Sequence, residues 1–273
     1  MDSEPRTGHY VIADSPDAYE TERLGLLEAR SDPLTRTHLA QVGIAEGWCC
    51  LEVGAGRGSV ARWMAERVGP SGHVVAADLN PRFLWEHAGP NLEVREHNVI
   101  EQDFETESYD LVHCRALVMH LSQPEEVLRR FAAALKPGGW LVVEEGDFGS
   151  FAAVDPSHPG AGDFDRVTRS MWDFLSQHDL MDGYFGRKLA GLFERTGLEA
   201  VGNEGFVHAD RGGSPLARFW QLSIDVPGSE LLTKAGVVTR PQIDAVLGLL
   251  GDPAFEFVGT TLYAAWGRKP LAT

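Results

Sequence analysis

Short apolar segments alternate with helical segments over residues 48–144, and this alternation constrains the fold more than any other feature. Five segments have the length and composition of strands: 48–53, 73–77, 92–95, 109–114 and 140–144. Apolar residues on both faces are typical of strands that helices cover on both sides. Strands that alternate with helices along the chain predict an α/β fold with a parallel sheet.

Helical spacing of apolar residues begins near Asp17 and continues to about Leu39. The tripeptide 31–33, Ser-Asp-Pro, interrupts this pattern, so we expect two helices, the second beginning near Pro33, a residue that suits a first helical turn. A further helix is predicted from Asn80, which would cap it, to about His87. The sequence therefore predicts helices before the first strand and after the second.

The balance of charge bears on the partners of the chain. Lys and Arg number 24 and Asp and Glu number 40, which gives a net charge of −16. Because nucleic-acid binding draws most of its affinity from Lys and Arg, a nucleic-acid partner is disfavoured. No apolar run reaches the length of a membrane span, so we expect no membrane partner. A homodimer is compatible with the sequence, which does not determine the oligomeric state.

The three cysteines, Cys49, Cys50 and Cys114, form no Cys-x-x-Cys pair. This argues against a zinc site and against a disulfide framework. Small buried thiols suit a reducing compartment, and we expect a cytoplasmic location.

A glycine-rich turn, residues 54–58, connects the first predicted strand to a helix over residues 59–68. Glycine allows the backbone to approach a ligand closely. Asp78 ends the next predicted strand, where a carboxylate can accept hydrogen bonds from both hydroxyls of a ribose. The strand, the glycine turn, the helix, the second strand and the acid together predict a nucleoside-binding unit.

The spacing of the glycines indicates which nucleoside binds. A dinucleotide fingerprint places its third glycine five positions after the first, whereas Gly58 follows Gly54 by four positions. Glu52 precedes the first glycine by two residues, where its charge would repel a pyrophosphate and suits a cationic ligand. These residues favour S-adenosylmethionine (SAM) over a nicotinamide dinucleotide.

Several motifs within residues 48–146 resemble those of class I SAM-dependent methyltransferases. Residues 51–59 resemble the first motif of that family, and Asp78 matches its ribose-binding acid. Residues 109–113 resemble the fourth-strand motif, and residues 135–144 resemble the motif that leads into strand five. The resemblance implies SAM as cofactor. It also implies a Rossmann-like seven-stranded sheet of order 3-2-1-4-5-7-6, with strand seven antiparallel and helices on both sides.

The resemblance further implies which residues bind SAM. Glu52 and the glycine turn would surround the methionine end, and Leu79 would pack on the adenine. Asn98 stands where the family usually has an acid near the adenine amine, and its carbonyl can still accept that hydrogen bond. The implied cofactor-binding residues are Glu52, Gly54, Ala55, Gly56, Asp78, Leu79, Asn98, Val99, Arg115, Tyr19 and Arg23. For the last two, a core tyrosine and a surface arginine are the alternatives.

Methyl transfer mainly requires that acceptor, methyl group and sulfur are aligned and that water is excluded. A base is needed if the acceptor is a hydroxyl or a protonated amine. His120, past strand four, and Asp147, after strand five, are the candidate catalytic residues because ligands bind at this edge of the sheet. A packing role is the alternative for His120, and Glu144 and Glu145 lie close by. No adjacent Asp–Asn pair follows strand five, so we predict no metal.

We expect a single methyltransferase domain over residues 1–273. Its parts would be an N-terminal helical cap (1–46), a SAM-binding core (47–150) and an acceptor-side half (151–273) with a helical lid insertion at about 212–252. Aromatic residues of the later half could line an apolar acceptor pocket, and core packing is the alternative. They are Phe148, Phe151, Trp172, Phe174, Tyr184, Phe185, Phe219 and Trp220.

The leading hypothesis is a SAM-dependent methyltransferase that acts on an oxygen or nitrogen atom of a small organic molecule in secondary metabolism. The first alternative is a protein of the same fold that binds SAM but catalyses another reaction, such as a cyclisation. The second is a nicotinamide-linked oxidoreductase, against which the glycine spacing and Glu52 count.

Overall fold

The computed structural model describes residues 17–225 and 227–271, and the first 16 residues of the predicted cap lie outside this range. The chain divides into two compact units. We call the first the helical unit; it comprises residues 17–30, Gly146–Phe185 and Phe206–Leu262. The second, the sheet unit, comprises Ser31–Glu145, Gly186–Gly205 and 263–271.

The described residues form eight α-helices and ten strands. The helices are α1 Asp17–Gln41, α2 Ser59–Val68, α3 Pro124–Ala134, α4 Ala161–Gln177, α5 Leu189–Arg195, α6 Pro215–Ile224, α7 Pro227–Lys234 and α8 Arg240–Gly251. The strands are β1 Cys49–Val53, β2 His73–Asp78, β3 Leu92–Glu96, β4 Tyr109–Arg115, β5 Leu135–Asp147, β6 Ala152–Ala153, β7 Glu199–Phe206, β8 Ala209–Arg211, β9 Glu256–Val258 and β10 Thr261–Arg268. Within these ranges no helix is long and apolar enough to cross a membrane.

Seven strands form one sheet in the order β3-β2-β1-β4-β5-β10-β7. Counted along the chain, these strands have the predicted order 3-2-1-4-5-7-6. The strands β1 to β5 pair in parallel, as their apolar composition indicates. The carboxyl ends of β1, β2 and β4 therefore lie at one edge of the sheet, where α/β proteins bind their ligands.

Helix α2 packs an amphipathic face against this sheet. Its buried residues recur at helical spacing and share one apolar cluster with residues of β1 and β2. They are Val60, Ala61, Met64, Ala65 and Val68. This packing fixes the position of the helix that follows the glycine turn.

The helical unit has its own apolar core. Helix α8 contacts both α4 and α6, and a small antiparallel sheet has the order β6-β9-β8. Three helices, α6 to α8, occupy the segment in which the sequence predicts a helical insertion. Their apolar faces meet α4 in a cluster rich in aromatic rings.

Helix α1 is continuous, so the prediction of two helices broken at residues 31–33 is wrong. Pro33 lies inside α1 although it lacks an N–H group to donate to the preceding turn. Side chains on either side of Pro33 have firm partners: Asp32 accepts from Arg115 Nη2 at 3.0 Å, and Thr35 Oγ1 accepts from Arg115 Nη1 at 2.8 Å. These tertiary contacts stabilise the helix across the local break signal.

Residues 80–87 form two short 3₁₀ helices, Pro81–Phe83 and Trp85–His87, rather than the predicted α-helix. The side chain of Asn80 makes no capping hydrogen bond. Its backbone N–H instead donates to Asp78 Oδ1 at 2.9 Å. Because Asp78 holds the start of this segment, the chain turns tightly after β2 instead of entering a regular helix.

Candidate functional site

The glycine turn follows β1 directly. Gly54, Gly56 and Gly58 have φ angles of 69°, 57° and 78°, in the left-handed region that strains residues with a Cβ atom. The N–H groups of Gly54 and Ala55 donate to the carbonyl of Ala77 at 2.8 and 3.2 Å. The turn is therefore anchored to the end of β2, next to the predicted ribose-binding acid.

Asp78 holds the same turn from the other side. Its Oδ2 atom accepts from the N–H of Gly56, and its Oδ1 atom accepts from the N–H of Asn80, both at 2.9 Å. Burial raises the pKa of Asp78, and these N–H donors oppose the rise. A carboxylate has about four acceptor positions, so it retains capacity for hydroxyl donors. This donor and acceptor set fits the ribose of SAM.

The predicted adenine-side residues differ in accessibility, and one of them directly follows this acid while the other two follow β3. Leu79 is 50% exposed, so its side chain is accessible to a flat ring that packs on it. Asn98 Oδ1 accepts from the N–H of Ile100 at 3.1 Å, which leaves one acceptor position. Val99 is buried, and its carbonyl accepts from Arg130 Nη1 at 3.2 Å.

Tyr19 and Arg23 lie in the helical unit and have partners there. The Tyr19 hydroxyl donates to the carbonyl of Leu222. Arg23 is buried and donates to both carboxylate oxygens of Glu20, at 2.8 and 2.7 Å. Arg23 is therefore not a surface residue, and its contact with the SAM carboxylate stays a prediction, as does that of Tyr19.

The two candidate catalytic residues belong to different units. Asp147, in the helical unit, is buried and accepts from the N–H of Gly149 at 2.9 Å, which caps the 3₁₀ helix Phe148–Ser150. His120, in the sheet unit, is half-buried at the end of the 3₁₀ helix Val118–His120. Their roles as bases stay predictions.

A chain of acids and histidines begins at the buried Glu52 and ends at Glu204, whose side chain is 37% exposed, and we call it the buried charge chain. Glu52 Oε2 lies 2.6 Å from His113 Nδ1, and Glu144 Oε1 lies 2.5 Å from His38 Nδ1. His113 Nε2 and Glu144 Oε2 are 3.7 Å apart, an ion-pair contact too long for a hydrogen bond. His38 Nε2 lies 2.7 Å from Glu204 Oε1. These five residues thus connect β1, β4, β5, α1 and β7 within the sheet unit.

Neighbouring charges set the protonation states along this chain. Burial alone would lower the pKa of His113, but Glu52 and Glu144 outweigh burial and raise it to about 9. Burial likewise opposes the charge on His38, and Glu144 and Glu204 raise its pKa. Both histidines hold the pKa of Glu144 well below its usual range against the effect of burial. At neutral pH His113 is therefore protonated beside an ionised Glu144.

Arg115 forms a second branch of this polar core. Besides its bonds to Asp32 and Thr35, the branch includes Ser59 Oγ, which donates to Asp32 Oδ1 at 3.1 Å, and the Thr35 hydroxyl, which donates to Glu144. Ser59 is the first residue of α2, directly after the glycine turn. Arg115 thereby ties α1 to the start of α2, and its predicted contact with the methionine end of SAM stays a prediction.

The buried partner of Glu52 was not identified from the sequence. Glu52 is 3% exposed, and its carboxylate meets the cationic His113 instead of solvent. The sequence does mark His113 and Glu144 as candidates for a buried polar contact, since each is an ionisable residue within an otherwise apolar strand. No feature of the sequence marks His38 in this way. Across residues 17–225 and 227–271, no group of three or more His, Cys, Asp or Glu side chains could hold a metal ion.

The raised pKa of His113 makes stability depend on pH. The folded protein holds this proton more tightly than the unfolded chain, whose histidines titrate near pH 6.5. The stabilisation is therefore complete below pH 6.5 and is lost as the pH rises to about 9. We expect the free energy of unfolding, measured in urea, to fall over this window by up to about 1.4 kcal/mol per pH unit and per proton. His113→Gln should reduce the slope, and His73→Gln, at a half-exposed site, should not. Equal slopes in all three proteins would contradict the pairing.

Comparison with known proteins adds evidence on the family. A family model described as a methyltransferase domain matches residues 21–202, more than half of the chain. Methyltransferase str3 of Strobilurus tenacellus is 33% identical over 160 residues, and the match covers 58% of this chain and 55% of str3. The chain thus spans about half the length of this curated relative.

Two solved structures share the fold at low identity. Phosphoethanolamine N-methyltransferase 2 of Haemonchus contortus, in complex with SAM, has a TM-score of 0.52 at 17% identity, with 92% of this chain and 52% of that chain covered. The [4+2]-cyclase SpnF has a TM-score of 0.52 at 16% identity, with 89% of this chain and 82% of that chain covered. These likenesses show the fold alone.

The family match includes the glycine turn, Asp78 and the strands of the sheet as far as β7. The observed strand order and the contact between Asp78 and Gly56 agree with that match. The chain belongs to the class I SAM-dependent methyltransferases.

Proposed function

We propose that this protein transfers the methyl group of SAM to an oxygen or nitrogen atom of a small organic molecule in secondary metabolism. The observation that carries the proposal is the glycine turn that Asp78 and Ala77 hold at the edge of the sheet, within a matched methyltransferase domain. When bound, SAM supplies an activated methyl group on a cationic sulfur. The residues of the chain bind it, align the acceptor and exclude water.

In this proposal Asp78 binds the ribose, Leu79 covers the adenine, and the backbone of the glycine turn approaches the methionine end. Glu52 shapes this end of β1 through its pairing with His113. His120 or Asp147 accepts a proton if the acceptor is a hydroxyl or a protonated amine. Each assignment combines the family resemblance with a position near or beyond the carboxyl end of a strand.

The acceptor that we propose has an apolar or aromatic face. In the helical unit the ring centroids of Phe148, Trp172 and Trp220 lie 4.6 to 5.9 Å apart. The indole nitrogens of both tryptophans are buried without a hydrogen-bond partner in the described part of the chain. An unsatisfied buried donor costs about 1–3 kcal/mol. Two such donors in one aromatic cluster favour an acceptor molecule whose oxygen atoms receive these hydrogen bonds.

Replacing either indole with a phenyl ring tests this interpretation. We expect Trp172→Phe and Trp220→Phe each to raise the KM for the acceptor about tenfold, the value of one hydrogen bond of about 1.4 kcal/mol. Thermal stability should not fall by more than the smaller ring explains, because the lost N–H has no partner in the fold. Phe151→Leu in the same cluster is the control that lowers stability without removing a donor. Lower stability with an unchanged KM would show that the indole N–H contacts a neighbouring ring instead.

The decisive experiment is a reaction screen with SAM and small phenols, amines and carboxylic acids. S-adenosylhomocysteine formed together with a methylated acceptor would support the proposal. Conversion of an acceptor by SAM-bound protein without S-adenosylhomocysteine would favour the cyclase-like alternative. Binding of NADH without binding of SAM, measured by titration, would overturn the proposal.

An acceptor from that screen allows the candidate base to be tested. We expect His120→Ala to lower kcat by about 100-fold or more, the usual contribution of a general base. Affinity for SAM should stay within about twofold. His178→Ala, at an exposed histidine of the helical unit, is the control. Full turnover in His120→Ala would assign His120 to packing, and the same measurement on Asp147→Asn would then test the second candidate.

A further inference from the structure

Glu145, near the end of β5, is a fully buried acid in which only one of the two carboxyl oxygens has hydrogen-bond partners. Its Oε1 atom accepts from the N–H groups of Leu117 at 3.1 Å and Val118 at 2.6 Å. Its Oε2 atom is equally buried and has no hydrogen-bond partner in the part of the chain described above. A half-satisfied buried carboxyl destabilises a fold, so packing alone is a poor explanation for it.

The segment that Glu145 holds has an unusual backbone. Ala116 has a φ of 52°, in the left-handed region that residues other than glycine rarely adopt. The N–H of Ala116 donates to the carbonyl of Glu144 at 2.8 Å, and the chain then enters the 3₁₀ helix Val118–His120. Such strain persists only where the surroundings enforce it and is concentrated at functional sites.

This segment contacts the cofactor turn. A Cβ atom added to Gly54 would meet Leu117 Cδ2 at 3.3 Å, so the Leu117 side chain packs directly on the glycine turn. His120, the candidate base, ends the same 3₁₀ helix, and its N–H donates to the carbonyl of Leu117 at 3.0 Å. Through the N–H groups of Leu117 and Val118, the Glu145 carboxyl therefore holds two features in place. One is the Leu117 side chain that packs on the glycine turn, and the other is the 3₁₀ helix that ends at the candidate base His120.

We propose that Glu145 is a positioning residue of the SAM site, which it holds in shape through the backbone of Leu117 and Val118. The inference rests on the proposed function, because it requires SAM at the glycine turn. It adds a residue that acts through the backbone of its neighbours. Without its Oε1 atom, two buried N–H groups lose their acceptor and Leu117 is no longer held against Gly54.

The protonation state of Glu145 should make the affinity for SAM depend on pH. Burial raises its pKa to about 8, against the opposing effect of the backbone donors, and Glu144 adds to the rise. The titratable groups beside it are Glu144 on β5 and Cys114 on β4. At neutral pH the carboxyl keeps its proton, and above about pH 8 it places a second negative charge next to Glu144. We expect this charge to loosen the segment over residues 116–120.

Calorimetric titration of the full chain with SAM, across about pH 6.5 to 9, tests the inference. Glu145→Ala should raise the Kd for SAM about tenfold at pH 7. Cys114→Ala, a cavity variant at the adjacent strand end, should stay within about twofold. Glu145→Gln keeps an acceptor oxygen without a titrating proton. It should match the wild type at pH 7 and lack the rise in Kd that the wild type shows above pH 8.

Two results would overturn the positioning role. One is an equal loss of SAM affinity in Glu145→Ala and Cys114→Ala, and the other is coincident pH profiles for Glu145→Gln and the wild type. These last two proteins differ only in the Glu145 carboxyl and its electrostatic effect on Glu144 and Cys114, so their comparison decides the question even if Glu145→Ala does not fold. Wild-type protein that binds no SAM would overturn the proposed function itself, which separates the two failures.

Discussion

The substitution Asp78→Ala is expected to raise the Kd for SAM by about 100-fold or more, measured by calorimetry. The carboxylate accepts from Gly56 and Asn80, and in the proposed function also from the ribose. Hydrogen bonds to a charged group contribute about 1.5–3 kcal/mol each, and each factor of ten in Kd corresponds to about 1.4 kcal/mol. The loss combines the missing ribose acceptor with a glycine turn that is no longer held on one side.

A neighbouring acid provides the matched control for this substitution. Glu96 is the register partner of Asp78 on β3, so both acids lie at the same level of the sheet, and Glu96 is exposed. Glu96→Ala removes the same charge and should leave the Kd within about twofold. Asp78→Asn, which keeps one carbonyl oxygen, should have an intermediate effect. An unchanged Kd in Asp78→Ala would show that the ribose assignment is wrong.

The elements around Asp78 could be predicted because their signals are local. A strand, a glycine turn and a strand-end acid lie within thirty residues, and each residue type has a backbone or charge property that its position requires. The order of the outer strands came from the family resemblance, since periodicity does not specify which strands are neighbours. The observed sheet confirms that order.

The interior of the sheet unit could not be predicted in the same way. Glu144 meets His38 across 106 positions of the chain, and Glu52 meets His113 across 61. Hydrophobic patterning indicates that a strand is buried but not which ionisable groups meet inside it. The same limit explains the error at Pro33, where a local break signal was overridden by contacts with Arg115.

The substitution Glu144→Ala is expected to lower the free energy of unfolding by about 3–5 kcal/mol at pH 7, the usual cost of breaking a buried ion pair. Glu144 is fully buried and accepts from His38 and Thr35 while it lies 3.7 Å from His113. Its removal leaves the protonated His113 with Glu52 as its remaining acid and leaves His38 with Glu204 alone. Urea unfolding measures the loss. The control Glu126→Ala, in an exposed pair with Arg129, should change stability by less than about 1 kcal/mol.

The dependence of this loss on pH separates charge from volume. The Glu144→Ala cavity destabilises at every pH, whereas the penalty for unpaired imidazolium groups exists only while the histidines are protonated. The pKa of His113 is about 9 in the wild type, and without Glu144 both it and the pKa of His38 should fall. The difference in unfolding free energy between wild type and Glu144→Ala should therefore be larger near pH 6 than near pH 9. An equal difference at both values would mean that the cavity accounts for the loss and that the buried charge chain does not stabilise the sheet unit.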